Sequence, residues 1–190
     1  MLRLFVLCLT LLLPLTGIAA EPATSNPRVV IKTSEGDITV QLFADKAPVS
    51  VANFLGYVDS GFYNGTIFHR VISEFMIQGG GMGPDMKEKE TGKPIKNESD
   101  NRLHNNRGTL AMARTSDPDS ATSQFFINQR SNLRLDGAEG RPGYTVFGEV
   151  IQGMDIVDFI ATAPTGQAGG MGDVPLQPIV IKEIVRLPPP

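Results

Sequence analysis

The chain has 190 residues, of which 41% are hydrophobic and 19% are charged, so its length and composition fit one compact globular domain. Its formal net charge of -3 and its pI of about 5.4 come without any run of Lys or Arg. Proteins that bind nucleic acid need a basic surface to contact the phosphates, so the sequence argues against a nucleic-acid partner.

Residues 1–20 have the pattern of a secretory signal peptide. Arg3 supplies a positive start, residues 4–13 form an apolar run, and small residues suited to cleavage follow at 17–20. The alternative is an uncleaved membrane anchor, but the apolar segment is short for a membrane span and Pro14 interrupts it. The sequence therefore predicts secretion, without stable membrane association once the signal peptide is removed.

The only cysteine, Cys8, lies inside this predicted signal peptide. Cleavage would leave a chain with no disulfide, no thiolate nucleophile and no cysteine metal ligand. The loss of Cys8 would exclude enzyme classes that depend on a cysteine.

Residues 21–28 contain Pro, Ser and Asn without apolar periodicity, which predicts a flexible leader before the folded domain.

The folded region begins with a predicted hairpin. Residues 29–33 and 38–43 are rich in β-branched side chains, and Gly36 between them can supply the positive φ that a tight turn requires. Residues 47–58 then have apolar side chains at helical spacing, with Asp45 as the predicted cap. The chain is expected to open with a β-hairpin followed by an amphipathic helix.

The rest of the domain consists of short predicted strands between turns. Further strands are predicted at residues 66–72, 75–78, 108–113, 124–128 and 144–151. A second helix is predicted over residues 154–161, and a last strand over 178–187 that would return to pair with the first hairpin. About eight strands and two helices favour a mainly β protein, a closed eight-stranded antiparallel β-barrel capped by two α-helices, although a β-sandwich has similar periodicity.

A glycine-rich segment at residues 164–172 resembles a phosphate-binding loop only superficially. The Lys-Ser or Lys-Thr pair that such a loop needs does not follow it. We therefore interpret the segment as a surface loop.

The predicted strand at residues 66–72 carries an arginine within an apolar run. Alternation places Arg70 on one face with Phe68 and Ile72, and places His69 on the opposite face. A guanidinium is costly to bury without partners. Arg70 therefore either reaches solvent on the exterior of the sheet or lines a site.

Four motifs follow one another along the chain. They are Phe-His-Arg-Val-Ile at 68–72, Phe-Met-Ile-Gln-Gly-Gly at 75–80, Gly-Thr-Leu-Ala-Met-Ala-Arg at 108–114 and Ser-Gln-Phe-Phe-Ile at 123–127. Each motif alone is more often plain core, because aromatic and Met side chains usually serve packing. In this order they resemble the signature blocks of the cyclophilin family, and the similarity spans residues 29–187. Lys-Pro-Ile-Lys-Asn-Glu at 93–98 is most similar to the bacterial branch.

The resemblance implies an eight-stranded barrel whose outer surface binds proline, and peptidyl-prolyl cis-trans isomerase activity without a metal, cofactor or covalent intermediate. It makes Arg70 the catalytic residue. The implied substrate-binding residues are Phe75, Met76, Gln78, Ala113, Arg114, Thr115, Gln124, Phe126, Leu135 and Tyr144. The implied partners are proline-containing unfolded or extended polypeptide segments. Together with the predicted signal peptide, the resemblance implies a periplasmic enzyme that assists the folding of secreted proteins. We expect this enzyme to be a monomer.

Two positions depart from the better-known eukaryotic members. Arg134 stands where those have a tryptophan associated with cyclosporin binding, and Tyr144 stands where they have a histidine. A structural role is expected for His69 and a solvated position for His104, so the two histidines do not suggest a zinc site. Two alternatives remain open: a cyclophilin-like module that binds without catalysis, and a metal-dependent cupin-like hydrolase, for which two histidines are few.

Overall fold

The computed structural model describes residues 26–189. The predicted signal peptide, residues 1–20, and most of the predicted leader lie outside these residues. The first strand begins at Arg28, the last residue of the predicted leader. Within the described range, no helix is both long enough and apolar enough to cross a membrane.

Residues 26–189 contain short strands, two α-helices and one 3-10 turn. The strands are β1 (Arg28–Thr33), β2 (Asp37–Leu42), β3 (Thr66–Ile67), β4 (Arg70–Ile72), β5 (Met76–Gly79), β6 (Thr109–Met112), β7 (Phe125–Asn128), β8 (Val146–Gln152), β9 (Thr165–Ala168), β10 (Met171–Pro175) and β11 (Val180–Arg186). The helices are α1 (Pro48–Asp59) and α2 (Met154–Ala161), and the 3-10 turn is η1 (Leu133–Leu135). The elements therefore match the predicted mainly β class with two helices.

Nine strands form one antiparallel sheet in the order β3-β11-β1-β2-β8-β6-β7-β5-β4. β11 returns to pair with β1, with Ile31 opposite Ile184, which confirms the predicted partner of the last strand. The predicted closed eight-stranded barrel is not confirmed, because among the described residues the sheet has nine strands and no ladder joins its edge strands β3 and β4. These two edges are consecutive in the chain, and the sheet curls into a half-barrel.

Alternate side chains of the sheet point into an inner core between the strands and the helices. Phe54 of α1 lies at its centre, with ring centroids 5.3 Å from Tyr63, 5.5 Å from Phe125 and 5.3 Å from Phe147. All four side chains are fully buried. Because each buried ring of this size contributes roughly 1.5–3 kcal/mol, this inner core stabilises the domain.

The N-terminus of α1 is capped differently from the prediction. Asp45 is not the cap: the N-cap residue is Ala47, which makes no side-chain capping bond. The carboxylate of Glu98 instead accepts hydrogen bonds from the Val49 N–H at 3.0 Å and the Ser50 N–H at 2.8 Å. A carboxylate from a distant loop therefore satisfies the free N–H groups of the first turn, a pairing that local sequence does not reveal.

The opposite face of the same sheet carries a second apolar group, which we call the outer-face cluster. Its buried members are Met76 of β5, Ala111 of β6, Phe126 of β7 and Val146 of β8. On each strand the neighbouring residue points the other way, so Ile77 beside Met76 belongs to the inner core. The sheet is thus apolar on both faces at this point.

Residues 66–72 do not form the single strand that alternation predicts. β3 ends at Ile67 and β4 begins at Arg70, and between them the Phe68 N–H donates to the Ile179 carbonyl at 2.9 Å. Phe68 therefore packs in the inner core and does not share a face with Arg70. The predicted face of Phe68 was wrong because the backbone changes partners there.

The glycine-rich segment is not an irregular surface loop. β9 and β10 pair as an antiparallel hairpin, and Gly169 and Gly170 at its turn have φ of 56° and 79°. Two consecutive residues with positive φ suit a tight hairpin whose twist matches its strands. The hairpin places Met171 and Asp173 beside β4.

Candidate active site

The register of the sheet aligns one row of side chains across its outer face. Arg70 on β4 lies opposite Gln78 on β5, and Gln78 lies opposite Phe126 on β7. Phe126 in turn lies opposite Ala111 on β6. Directly opposed residues share a face, so a guanidinium, an amide and an apolar ring stand side by side.

A cavity of about 330 Å³ opens over this row, and we call it the proline cavity after the ligand that the sequence motifs lead us to expect there. Met76 and Phe126 form its floor, with 2% and 4% of their surface exposed. The lining residues are Arg70, Phe75, Met76, Gln78, Ala113, Arg114, Phe126, Leu135, Tyr144 and Met171. The structure thus brings together the residues that the sequence predicted, except Thr115 and Gln124.

Gln124 and Thr115 lie outside the lining of the cavity. The Gln78 side chain donates to Gln124 Oε1 at 3.0 Å, and Gln124 donates onward to Glu88 at 3.3 Å. The Thr115 N–H and hydroxyl both donate to the Ser120 hydroxyl, at 2.9 and 2.8 Å. Gln124 therefore orients the amide of Gln78, whereas Thr115 stabilises its own loop.

The apolar walls of the cavity are held by backbone hydrogen bonds. The Tyr144 N–H donates to the Leu135 carbonyl at 2.9 Å, which fixes these two wall residues relative to each other. The Phe75 carbonyl accepts from the Gln129 N–H at 3.0 Å and from the Asn132 amide at 2.9 Å. The cavity is therefore largely preformed, as ligand sites usually are.

Arg70 reaches the cavity from the edge strand β4 with 39% of its side chain exposed. Its Nε lies 3.7 Å from Asp173 Oδ2, and within residues 26–189 this is its one ion pair. Asp173 therefore faces the Nε edge of the guanidinium and leaves the two terminal nitrogens free. Neither Asp173 nor the cavity residue Met171 was predicted, because residues 164–172 were expected to form a surface loop and no strand was expected at Asp173.

Two further guanidiniums stack on the aromatic walls. Arg114 lies with its guanidinium carbon 4.5 Å from the centre of the Tyr144 ring and donates to the carbonyls of Pro142 and Gly143 at 2.9 and 3.2 Å. Arg134 lies 4.7 Å from the centre of the Phe75 ring. Arg114 thus positions Tyr144, and Arg134 covers Phe75 at the position where eukaryotic relatives were expected to have tryptophan.

The two histidines occupy contrasting surroundings. His69 is fully buried, as its predicted structural role requires, and this burial lowers its pKa below the usual value near 6.5. His104 is 64% exposed but is not merely solvated, since its Nδ1 lies 2.8 Å from Asp136 Oδ2. Burial alone would raise the pKa of Asp136, but hydrogen bonds from Asn105 and the contact with His104 hold it below 3.8.

A larger cleft of about 760 Å³ lies under residues 137–142. Its lining includes charged residues, among them Lys96, Asp100, Arg102, Asp119 and Glu139. It contains none of the residues that the sequence predicted for substrate binding. The smaller proline cavity, with its apolar floor and the guanidinium of Arg70, is therefore the better candidate for the active site.

Comparison with known proteins decides the family. Residues 28–186 match the model of the family described as cyclophilin type peptidyl-prolyl cis-trans isomerase. The chain belongs to the cyclophilin family. A peptidyl-prolyl cis-trans isomerase of Acinetobacter baylyi is 58% identical over 159 residues, which cover 84% of this chain and 85% of that one. Peptidyl-prolyl cis-trans isomerase A of Dickeya dadantii is 55% identical over 163 residues, 86% of each chain.

The fold of this cyclophilin also matches a solved relative. A cyclophilin type peptidyl-prolyl cis-trans isomerase of Cryptosporidium parvum, crystallised in the presence of the dipeptide Ala-Pro, superposes with a TM-score of 0.73 and 34% identity, covering 83% of this chain and 97% of that one. The family and the enzyme class expected from the sequence motifs are thereby confirmed. This cyclophilin is a cis-trans isomerase of X-Pro peptide bonds.

Proposed function

We propose that Arg70 is the catalytic residue and that the proline cavity binds the pyrrolidine ring of the substrate. The proposal rests on the row of directly opposed residues on β4, β5 and β7. This row sets the Arg70 guanidinium beside an apolar floor of Met76 and Phe126. The cavity volume of about 330 Å³ is small and suits one side chain with its flanking amides.

The reaction needs no broken bond. Amide resonance sets a barrier of about 18–20 kcal/mol to rotation, and rotation carries the prolyl nitrogen through a pyramidal state in which it regains its lone pair. A hydrogen-bond donor aimed at this nitrogen binds it more strongly in the twisted state than in the planar state, and therefore accelerates the rotation. The permanently charged guanidinium of Arg70 has the necessary donors.

The walls and the hairpin assist this donor in different ways. Phe75, Phe126 and Leu135 hold the ring while the acyl side turns, and their exclusion of water strengthens the interaction with the guanidinium. Asp173 faces the Nε edge of Arg70, so the terminal nitrogens point to the substrate. We assign Asp173 as a positioning residue.

The substrates that we propose are extended, proline-containing segments of secreted proteins. The open outer face of the sheet lets a chain enter without being threaded through the fold. The signal-peptide pattern of residues 1–20 and the bacterial relatives support a periplasmic location, where the isomerase would act as a monomer and assist folding.

The decisive experiment measures isomerisation of a proline tetrapeptide by the wild type, Arg70→Ala and Arg186→Ala. Arg186 is a matched control, because it is an exposed arginine paired with Asp59 away from the cavity. Arg70→Ala should lose on the order of 100- to 1000-fold in kcat/KM with an unchanged thermal midpoint. Arg186→Ala should keep the wild-type rate.

Two results would overturn the proposal. One is a wild-type rate for folded Arg70→Ala, which would place the essential donor elsewhere. The other is saturable binding of the tetrapeptide by the wild type without faster exchange, which would describe a binding module. Adding a chelator to the wild-type assay should change nothing, since the proposed chemistry uses no metal.

A further inference from the structure

Arg134 is a cation next to a wall residue of the proline cavity, and it has no carboxylate partner among residues 26–189. It is exposed, and its guanidinium rests on the ring of Phe75, which lines the cavity. Stacking occupies the flat face of a guanidinium and leaves its N–H donors at the edge free. Arg134 therefore presents unused donors next to the substrate.

A separate cleft of about 380 Å³ lies beside Arg134. It is lined by Glu74, Arg130, Ser131, Asn132, Leu133 and Arg134. Its other cation, Arg130, pairs with Glu74 at 3.3 Å. The charge of Arg134 is thus the uncompensated one in this cleft.

The charges around the proline cavity itself do not compensate Arg134 either. Asp173 pairs with Arg70, and Arg114 uses its donors on backbone carbonyls. Hydrogen bonds to neutral carbonyl groups do not neutralise the positive charge of Arg114. The lining of the proline cavity thus includes Arg70 and Arg114 and no carboxylate, although the whole chain carries a formal charge of -3.

We infer that this cyclophilin prefers substrates with an acidic side chain within two residues of the prolyl bond, and that Arg134 binds that carboxylate in the cleft beside Phe75. The inference rests on the proposed proline cavity. Two residues of extended chain span at most about 7 Å, a distance that bridges the thickness of the Phe75 ring and its stacked guanidinium. A guanidinium edge matches a carboxylate with two parallel hydrogen bonds.

The test compares kcat/KM for proline peptides that differ in one side chain, Glu, Gln or Lys. In one series the variable residue lies two positions before the proline, and in the other it lies two positions after it. The Glu peptide should exceed the Gln peptide by about 2- to 5-fold in one series, the range that a single exposed ion pair supports. The Lys peptide should be the slowest in that series.

Three variants separate a binding role of Arg134 from a merely structural one. Arg134→Gln should bring the Glu-to-Gln ratio to about 1, and Arg134→Glu should reverse the order so that the Lys peptide is preferred. Lys182→Gln is the control, because it changes the net charge equally at an exposed position of β11 and should leave the ratio as it is. The wild-type ratio should shrink toward 1 at about 1 M salt, where the Debye length falls to about 3 Å.

The outcomes distinguish this inference from the proposed function. If the three peptides are isomerised at equal rates in both series, or if the preference survives Arg134→Glu, the inference is wrong while the isomerase proposal stands. If no peptide is isomerised, the proposed function itself fails. A preference for Glu that Arg134→Gln abolishes supports the inference.

Discussion

Phe125 and Phe126 are neighbours on β7 and belong to different parts of the molecule. Phe125 points into the inner core, where it meets the rings of Phe54, Tyr63 and Phe68. Phe126 points outward, and the one ring it meets among residues 26–189 is that of Tyr144, at 5.7 Å, with the proline cavity beside it. Both are nearly or fully buried, so burial alone does not distinguish them.

The difference lies in what covers each face. Helices α1 and α2 and the curl of the sheet seal the inner core, so its side chains contact one another on every side. The outer-face cluster is covered by Leu135 of η1 and by the loop residue Tyr144, and this cover leaves a cavity. One face of the sheet therefore stabilises the fold, and the other holds an apolar surface ready for a ligand.

Replacing each phenylalanine in turn would test this contrast most strongly. Phe126→Ala should lower kcat/KM by about 10- to 100-fold, because the substrate ring loses apolar contact worth roughly 1.5–3 kcal/mol. Phe125→Ala should reduce the free energy of unfolding by about 3–5 kcal/mol, because it opens a hole among packed rings. Urea unfolding and a protease-coupled isomerase assay on the same preparations would give both quantities.

Rates must be expressed per folded molecule for this comparison. The contrast breaks down if Phe125→Ala, once corrected for its folded fraction, loses as much activity as Phe126→Ala. It also breaks down if Phe126→Ala unfolds as readily as Phe125→Ala while remaining fully active. In either case the two faces would not divide stability and binding between them.

Local patterns in the sequence were sufficient for some elements of the fold. The spacing of residues 154–161 gives the bounds of α2. Gly36 has the positive φ, 138°, that the first hairpin was expected to need. Such features depend on neighbours in the chain, and therefore the sequence reveals them.

The features that sequence did not reveal depend on contacts across the fold. Glu98 caps α1 from a distant loop, and Asp173 reaches Arg70 from a hairpin more than a hundred residues away. The break between Ile67 and Arg70 arises because Phe68 bonds to Ile179 of the last part of the chain. A pattern of residue types contains no signal for pairings of this kind. The site residues around them were predicted from the resemblance of the four motifs to the cyclophilin family.

Glu98 connects the two faces, and its removal would show how far they are coupled. Its carboxylate caps α1 over the inner core, while its own N–H donates to Thr145 beside Tyr144 at 2.9 Å. Glu98→Ala removes the carboxylate and keeps the N–H, so it should cost about 1–2 kcal/mol of unfolding free energy and change kcat/KM less than 2-fold. The exposed Glu90 provides a control, and Glu90→Ala should alter neither quantity. A large loss of activity in stable Glu98→Ala would mean that α1 and the cavity wall move together.

His69 and Arg70 are neighbours at the edge of the sheet that also differ in their surroundings: His69 is buried, whereas Arg70 lines the proline cavity. The effect of pH on stability that we expect from His69 is the smallest of the predicted effects. Burial lowers the pKa of His69 below 6.5, so between the two values the unfolded chain binds more protons than the folded one. Stability should therefore be greatest above pH 6.5 and decrease as the pH falls through the lowered pKa.

Thermal midpoints between pH 7.5 and 5.5 would isolate this decrease from other groups. The carboxyl groups of Asp59 and Asp158, whose pKa values are lowered from 3.8 by Arg186 and Arg107, titrate below that range. His69→Asn should flatten the decrease, whereas His104→Asn, at an exposed histidine, should preserve most of it. An equal slope in the wild type and His69→Asn would mean that the pKa of His69 is the same in the folded and unfolded chains, and that burial does not lower it.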